Sequence, residues 1–178
     1  EKLADCRDFD EFITVVKREI KDQVEIIVRE HTERLDNPEP DPFISAFIGD
    51  CIARGKDVRR GGAKYNNYGV HGAGLSTAAD AVTAIKVKVF DEKSVTADEL
   101  IAALKANYEG YAGLRNALVA CPKAGNNDDL PDGIMREIAY TFADALKGKK
   151  TPFGGVWRAG TGSAMEYVLS AAKVGATA

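Results

Sequence analysis

Two glycine-rich stretches, residues 61–74 and 154–162, combine backbone freedom with polar and aromatic side chains. The first stretch contains Tyr65, Asn66, Tyr68 and His71, and the second contains Trp157 and Arg158. Glycine permits positive φ and close backbone approach, and free amides at a helix N-terminus attract anions. The first stretch is therefore interpreted as a strand and tight turn leading into a helix whose N-terminus suits an anion or a polar substrate. The second stretch repeats the Gly-Gly pair, the aromatic strand and the glycine turn.

A long amphipathic helix is predicted for residues 9–35. Asp8 and Glu11 have the spacing of a capping box, and apolar residues then recur three and four positions apart. At 1.5 Å per residue the helix is about 40 Å long. His31 continues the apolar stripe, which favours a packed histidine over a metal ligand.

Shorter elements are predicted to follow. A helix is expected at residues 43–53, ended by Gly55 as a C-cap. Its inward side chains are expected to be Phe43, Phe47, Ile48 and Ile52. A strand is expected over residues 63–68, and a helix over residues 78–90, opened by Thr77 and Asp80. A third capping box, Thr96 to Glu99, opens another helix.

The order of these elements predicts an α/β protein. Its few strands are far apart in sequence and separated by helices, which favours a mainly parallel arrangement. Two or three strands are too few to close a barrel. The chain, residues 1–178, is therefore expected to be one partial domain of a larger body.

Composition narrows the class of protein. The chain has 178 residues, 45% hydrophobic, with a formal net charge of -3. This balance is typical of a soluble globular protein and argues against a nucleic-acid binder. No apolar run approaches the roughly 20 residues that span a bilayer. Three cysteines, Cys6, Cys51 and Cys121, are an odd number with no CxxC pair, which indicates buried thiols in a reducing compartment, so a cytoplasmic location is expected.

Several motifs occur in an order that identifies a family. They are residues 42–57 (PFISAFIGDCIARGKD), 61–66 (GGAKYN), 74–86 (GLSTAADAVTAIK), 122–129 (PKAGNNDD) and 174–177 (VGAT). These stretches resemble the glycyl radical enzymes, the superfamily of pyruvate formate-lyase and its related dehydratases, lyases and decarboxylases. The resemblance covers nearly the whole chain from about Phe9.

The resemblance implies a helix-rich segment of a ten-stranded α/β barrel. In the family, one loop carries a cysteine that becomes a thiyl radical, and another carries a glycine that stores the radical. The motifs of those loops, Gly-Cys-x-Glu and Arg-Val-x-Gly-Tyr, do not occur in residues 1–178. No catalytic residue is therefore expected in this chain, which alone should be inactive, and Cys51 should lie outside the active site.

The resemblance also implies partners. The full-length enzyme would cleave a C–C, C–O, C–N or C–S bond of a small organic substrate and form a homo-oligomer. A separate radical-SAM activating enzyme would install the radical, with no metal or cofactor bound directly by this chain.

The two Gly-Gly units are the expected barrel wall segments, near residues 61–75 and 154–162. The candidate lining residues are Tyr65, Asn66, Tyr68, His71, Trp157 and Arg158. His71 can hydrogen-bond a substrate hydroxyl or carboxylate, and Arg158 can bind a carboxylate bidentately. Structural roles are the alternatives to substrate contact. The aromatic side chains of Tyr65, Tyr68 and Trp157 would simply pack in the barrel, His71 would hydrogen-bond the backbone of a turn, and Arg158 would form an ion pair.

Two other interpretations stay open. A free-standing helical interaction or regulatory domain would use the long helix to bind a partner. A phosphate- or nucleotide-binding domain would use residues 69–74, although their glycine order does not match GxGxxG and no GK[ST] follows.

Overall fold

The computed structural model describes residues 3–35, 38–162 and 168. Helices dominate, and short 3-10 turns occur at Leu3–Asp5 and Val58–Arg60. The main elements in chain order are α1 (Phe9–Arg34), α2 (Pro42–Phe47), α3 (Cys51–Arg54), β1 (Tyr68–Gly72), α4 (Leu75–Ile85), a π-helical segment (Lys86–Asp91), α5 (Ala97–Lys105), α6 (Ala112–Val119), α7 (Asp129–Leu146) and β2 (Trp157–Thr161).

The described residues form two compact units. The sheet unit comprises Ile20–Gly72 and Phe142–Gly162, and so holds both strands. The helical unit takes its described residues from 3–19 and 73–141.

The sheet unit is built on one parallel strand pair. β1 and β2 are hydrogen-bonded in a register that pairs Tyr68 with Trp157 and Gly72 with Thr161. Side chains alternate between the two faces of a strand, so one face carries Tyr68, Val70 and Trp157. That face packs on the second half of α1 and the end of α7, in a core of buried residues. The core residues are Val24, Val70, Leu146 and Trp157.

The helical unit buries one face of α4. Ala79, Val82 and Ala84 are buried there, and the Thr83 hydroxyl is satisfied by donating to the Ala79 carbonyl at 2.8 Å. A second cluster joins three aromatic rings, with centroids 5.9–6.3 Å apart. These rings are Phe9, Phe12 and Phe90.

Local helix signals are largely confirmed. The Asp8 carboxylate accepts from Glu11 N at 2.9 Å, and the Thr96 hydroxyl accepts from Glu99 N at 3.1 Å. Glu11 differs from a full capping box, because its carboxylate accepts from Arg7 N instead of the N-cap amide.

The predicted strand over residues 63–68 is wrong, because the strand begins only at Tyr68. Residues 63 and 64 form a bend, and side-chain hydrogen bonds connect Asn66 and Asn67 to Ala63 and to the loop before β2. The start of α4 also differs. The helix begins at Leu75 after a left-handed Gly74, and the Asp80 carboxylate accepts instead from Ala124 N at 2.8 Å.

The single helix predicted at residues 43–53 is two short helices, α2 and α3. Asp50, with φ of 75°, interrupts it, while Gly55 ends α3 in the left-handed conformation as predicted. The predicted inward side chains are also wrong, since Phe43, Phe47 and Ile52 are exposed. The cysteines follow expectation more closely: Cys51 and Cys121 are buried, and Cys6 is half-buried. The VGAT motif at residues 174–177 lies outside the described residues.

Candidate functional site

The strand pair has an open face opposite its helix-packed face. Gly69, His71, Arg158 and Gly160 point to that side, by the alternation that places Val70 and Trp157 in the core. His71 and Arg158 are exposed. The strand register therefore brings together two of the six predicted site residues.

The His71 ring lies across the glycines of this face. A Cβ added at Gly160 would lie 3.4 Å from His71 Cε1, and one added at Gly69 would lie 3.6 Å from Nε2. Gly160 is the register partner of His71. The imidazole therefore lies over these two glycines, at a distance that would leave room for a methyl group on either of them.

Arg158 lies beside this histidine on the same face. Its register partner is Gly69, and it is two residues from Gly160 along β2, a separation of about 6.6 Å. Neither the Arg158 guanidinium nor the His71 imidazole makes a hydrogen bond or ion pair with a side chain or backbone group in the part of the chain that the structure describes. The ion pair that offered a structural explanation for Arg158 is thus absent within those residues. Both donors are available to an anionic or hydroxylated ligand.

Tyr68 and Trp157 lie on the other face, against the helices. Their ring centroids are 5.6 Å apart, and the His31 ring contacts both edge-on at 5.5–5.6 Å. Burial raises the pKa of the Tyr68 phenol above its ordinary value. Trp157 is 4% exposed, and its Nε1 has no hydrogen-bond partner among the described residues. These aromatic side chains pack the strand pair against the helices on the face opposite His71 and Arg158.

Asn66 connects the two glycine-rich loops. Its Nδ2 donates to the carbonyls of Ala63 at 2.9 Å and Phe153 at 3.3 Å. Its own carbonyl accepts from the Thr151 hydroxyl at 2.8 Å, and that hydroxyl accepts from Gly155 N at 2.9 Å. The Asn66 amide is therefore engaged with backbone groups that position both strands.

The two Gly-Gly pairs, Gly61–Gly62 and Gly154–Gly155, have the same two features in their loops. The first glycine of each pair has a left-handed φ, 81° at Gly61 and 84° at Gly154. The second of each pair is in close backbone contact: a Cβ at Gly62 would overlap the Lys56 carbonyl, and one at Gly155 the Asn66 carbonyl. Glycine is thus required at both positions for different reasons.

Tyr65 stands apart from the other candidates. It is 76% exposed, and the Lys64 ammonium lies 5.7 Å from its ring centroid. It packs on neither strand face. Sequence reasoning also missed Thr151 as a connector of the loops and the position of the His71 ring over Gly69 and Gly160. Glycines alternating with His71 and Arg158 were the available signal.

No cluster of three or more His, Cys, Asp or Glu side chains suited to a metal ion occurs in residues 3–35, 38–162 and 168. Within the same residues, no helix is both long and apolar enough to cross a bilayer.

Comparison with known proteins identifies the family to which the chain is similar. Residues 1–170 match the pyruvate formate lyase-like family. The chain is 44% identical over 120 residues to trans-4-hydroxy-L-proline dehydratase of Clostridioides difficile, covering 67% of this chain and 15% of that protein. It is 36% identical over 168 residues to (2S)-3-sulfopropanediol dehydratase of Klebsiella oxytoca, covering 89% of this chain and 20% of that protein.

The fold comparison agrees. The crystal structure of hydroxyproline dehydratase from Clostridioides difficile, with trans-4-hydroxy-L-proline bound, superposes with a TM-score of 0.79 and 35% identity. The match covers 88% of this chain and 20% of that one. The chain thus spans a fifth or less of the length of these relatives, and the predicted helix-rich α/β barrel segment with few strands is confirmed. The chain belongs to the pyruvate formate lyase-like family of glycyl radical enzymes.

Proposed function

We propose that this chain is a barrel segment of a full-length glycyl radical enzyme that cleaves a C–O, C–C, C–N or C–S bond of a small organic substrate. The observation that carries the proposal is the match to hydroxyproline dehydratase over 88% of the chain in structure. Both curated relatives described above are dehydratases, which favours C–O cleavage over decarboxylation or another lyase reaction.

The open face of the strand pair is the proposed substrate-facing surface. In α/β barrels the helices form a ring on the outer face of the sheet, so the face that they leave open is directed toward the barrel interior. Here α1 and α7 cover one face, and His71 and Arg158 extend from the other. We assign His71 to hydrogen-bonding a substrate hydroxyl or carboxylate, and Arg158 to binding a carboxylate or similar anion.

The other candidates have supporting parts in this proposal. Tyr68 and Trp157 hold the strands against the helices, and Asn66 fixes the loops that precede both strands. Tyr65 is exposed enough to contact a ligand or another part of the full-length enzyme. Rigid support of this kind keeps ligand-binding side chains within the narrow geometric range that binding requires.

The radical chemistry belongs to groups outside this chain. The cysteine and glycine motifs implied by the family do not occur in residues 1–178. A separate activating enzyme of the radical-SAM type is the proposed source of the glycyl radical. Residues 1–178 would bind and orient the substrate and exclude water. The full-length enzyme is proposed to be a cytoplasmic homo-oligomer.

Sequencing the gene on both sides of this segment is the first test. The proposal expects Gly-Cys-x-Glu upstream and Arg-Val-x-Gly-Tyr downstream. The full-length protein, activated anaerobically, should show a glycyl radical by electron paramagnetic resonance and dehydrate a hydroxylated substrate such as trans-4-hydroxy-L-proline or a sulfonated diol. Flanks that lack both motifs would overturn the proposal and favour the interaction-domain alternative.

A further inference from the structure

A compact apolar surface lies on α2, α3 and the turn between them. Five of its large apolar side chains are at least 38% exposed, within ten consecutive residues. They are Phe43, Ile44, Phe47, Ile48 and Ile52, which together are called here the α2–α3 patch. Soluble proteins seldom leave such a concentration of apolar surface uncovered.

The backbone beneath the patch is held rigidly. The Asp57 carboxylate accepts from Asp41 N at 2.8 Å, from the Ser45 hydroxyl at 2.9 Å and from Arg59 N at 2.8 Å. The Ser45 hydroxyl in turn accepts from Val58 N at 2.9 Å. A surface whose backbone is fixed in this way loses little conformational entropy on contact, which suits an interface.

Two rings of the patch are ordered against each other. Phe43 and Phe47 are 73% and 74% exposed, with centroids 5.2 Å apart and the edge-to-face tilt of a packed aromatic pair. Cys51, between the exposed residues in sequence, is only 2% exposed. The segment therefore has a defined inner side, and its apolar residues face outward as a set.

We infer that the α2–α3 patch is covered by a segment of the same polypeptide that lies outside residues 1–178. This inference rests on the proposed function, because it takes the chain to be part of a full-length enzyme. The chain spans only 15–20% of the relatives it matches, so most of the surface available to cover the patch lies elsewhere in such an enzyme.

The size of the patch favours that occupant over a second copy of the chain. A stable interface between separate proteins uses about 20–30 residues on each side. Five side chains fall well short of that number. A contact within one polypeptide needs less surface, since the connecting chain removes most of the cost of bringing two bodies together.

Photo-cross-linking in the unactivated full-length enzyme tests the inference. The variant Phe47→p-benzoylphenylalanine keeps an aromatic side chain at the centre of the patch and reacts under ultraviolet light with groups in direct contact. The expected product migrates as a single chain, and peptide mapping places its cross-link at a residue outside 1–178. The same variant unfolded in urea should lose this cross-link.

Three results would overturn the inference. They are a product of twice the chain mass, a cross-link confined to residues 1–178, and no light-dependent product at all. If the Phe47 variant is insoluble, Ile52→p-benzoylphenylalanine gives the same readout from the other end of the patch. The experiment needs no radical, so a failed cross-link is distinguishable from a failed function, which the flanking gene sequence and radical signal report.

Discussion

The imidazole of His71 lies over Gly160, its register partner across the two parallel strands. A Cβ at Gly160 would lie 3.4 Å from His71 Cε1 and 3.5 Å from Nδ1. Residues 89 positions apart in sequence thus determine together where this side chain lies, and the relationship can be tested by adding atoms to the glycine.

Replacing Gly160 by valine should move the imidazole. In the full-length enzyme, Gly160→Val should lower kcat/KM by roughly tenfold to a hundredfold, the usual cost of displacing a group that binds substrate. Gly160→Ala is the matched control, because its methyl group makes ordinary contact with the ring and should leave kcat/KM near that of the parent. Equal activity of the valine variant and the parent would contradict a role for His71.

Arg158 is expected to act through its charge. Arg158→Gln removes charge-assisted hydrogen bonds worth about 1.5–3 kcal/mol, so kcat/KM for an anionic substrate should fall by roughly tenfold or more. Lys64→Gln removes an exposed cation from a loop of the same unit and should have little effect. Steady-state kinetics of both variants measure kcat/KM. An Arg158→Gln enzyme with the kcat/KM of the parent would show that Arg158 does not bind the substrate.

Gly155 is expected to tolerate no side chain. Gly155→Ala places a methyl group onto the Asn66 carbonyl and should lower the free energy of unfolding by about 2 kcal/mol or more. Gly133→Ala should have the opposite effect. Gly133 lies in α7, and no atom lies within 4 Å of a Cβ added there. The change should therefore raise the free energy of unfolding by about 0.4–1 kcal/mol. Urea unfolding followed by circular dichroism measures both. If Gly155→Ala left the free energy of unfolding unchanged, the close contact between Gly155 and the Asn66 carbonyl would not be needed for stability.

Thr151 should be needed for its hydroxyl rather than its shape. It is 4% exposed, and Thr151→Val leaves the Asn66 carbonyl and the Gly155 amide without this partner. The expected loss is about 1–3 kcal/mol of unfolding free energy, and Thr151→Ser should recover most of it. Thr14→Val on the exposed face of α1 is the control, with an effect within about 0.5 kcal/mol. Equal effects at the two positions would argue against the loop network.

Asp57 should make the segment beneath the α2–α3 patch acid-sensitive. Desolvation acts to raise the pKa of its carboxyl, but hydrogen bonds from Arg59 N, the Ser45 hydroxyl and Asp41 N outweigh it and lower the pKa below the ordinary 3.8. A lowered folded pKa contributes stability above pH 3.8 that is lost as pH falls through the folded value. The protection factors of residues 41–59 against amide hydrogen exchange, which are corrected for the intrinsic effect of pH on exchange, should therefore fall below pH 3.8.

The control for that experiment is Asp57→Asn, which cannot titrate. Exchange in the variant should be faster than in the parent at neutral pH, because an amide accepts fewer hydrogen bonds than a carboxylate. The variant should also show no further loss of protection specific to this segment in acid. Parent and variant profiles that change in parallel would assign the acid sensitivity to other groups.

Most features that depend on neighbouring residues were predicted correctly, although the cap at Thr77 and Asp80 was not. The caps at Asp8 and Thr96 involve partners three residues away, and the left-handed turn at Gly55 needs only the absence of a Cβ. The extent of α1, Phe9–Arg34, follows from an apolar repeat within the helix itself. The family motifs are likewise contiguous strings, so they could be identified before any contact was known.

Features that depend on residues far away in the sequence were not predicted correctly. The strand begins at Tyr68 because Thr151 and Val156, more than 80 residues later, bond to the loop before it. The apolar residues of α2 face outward because Asp57 fixes the other side of that segment. Neither partner is visible from local periodicity.

The sequence by itself determined the family, the helix-rich α/β class and a short set of candidate site residues. Only the tertiary structure divided that set between two faces of one strand pair, with His71 and Arg158 on the open face and Tyr68 and Trp157 against the helices. The physical reason is that alternation along a strand defines two faces, but burial by helices from elsewhere in the chain decides which of them is covered.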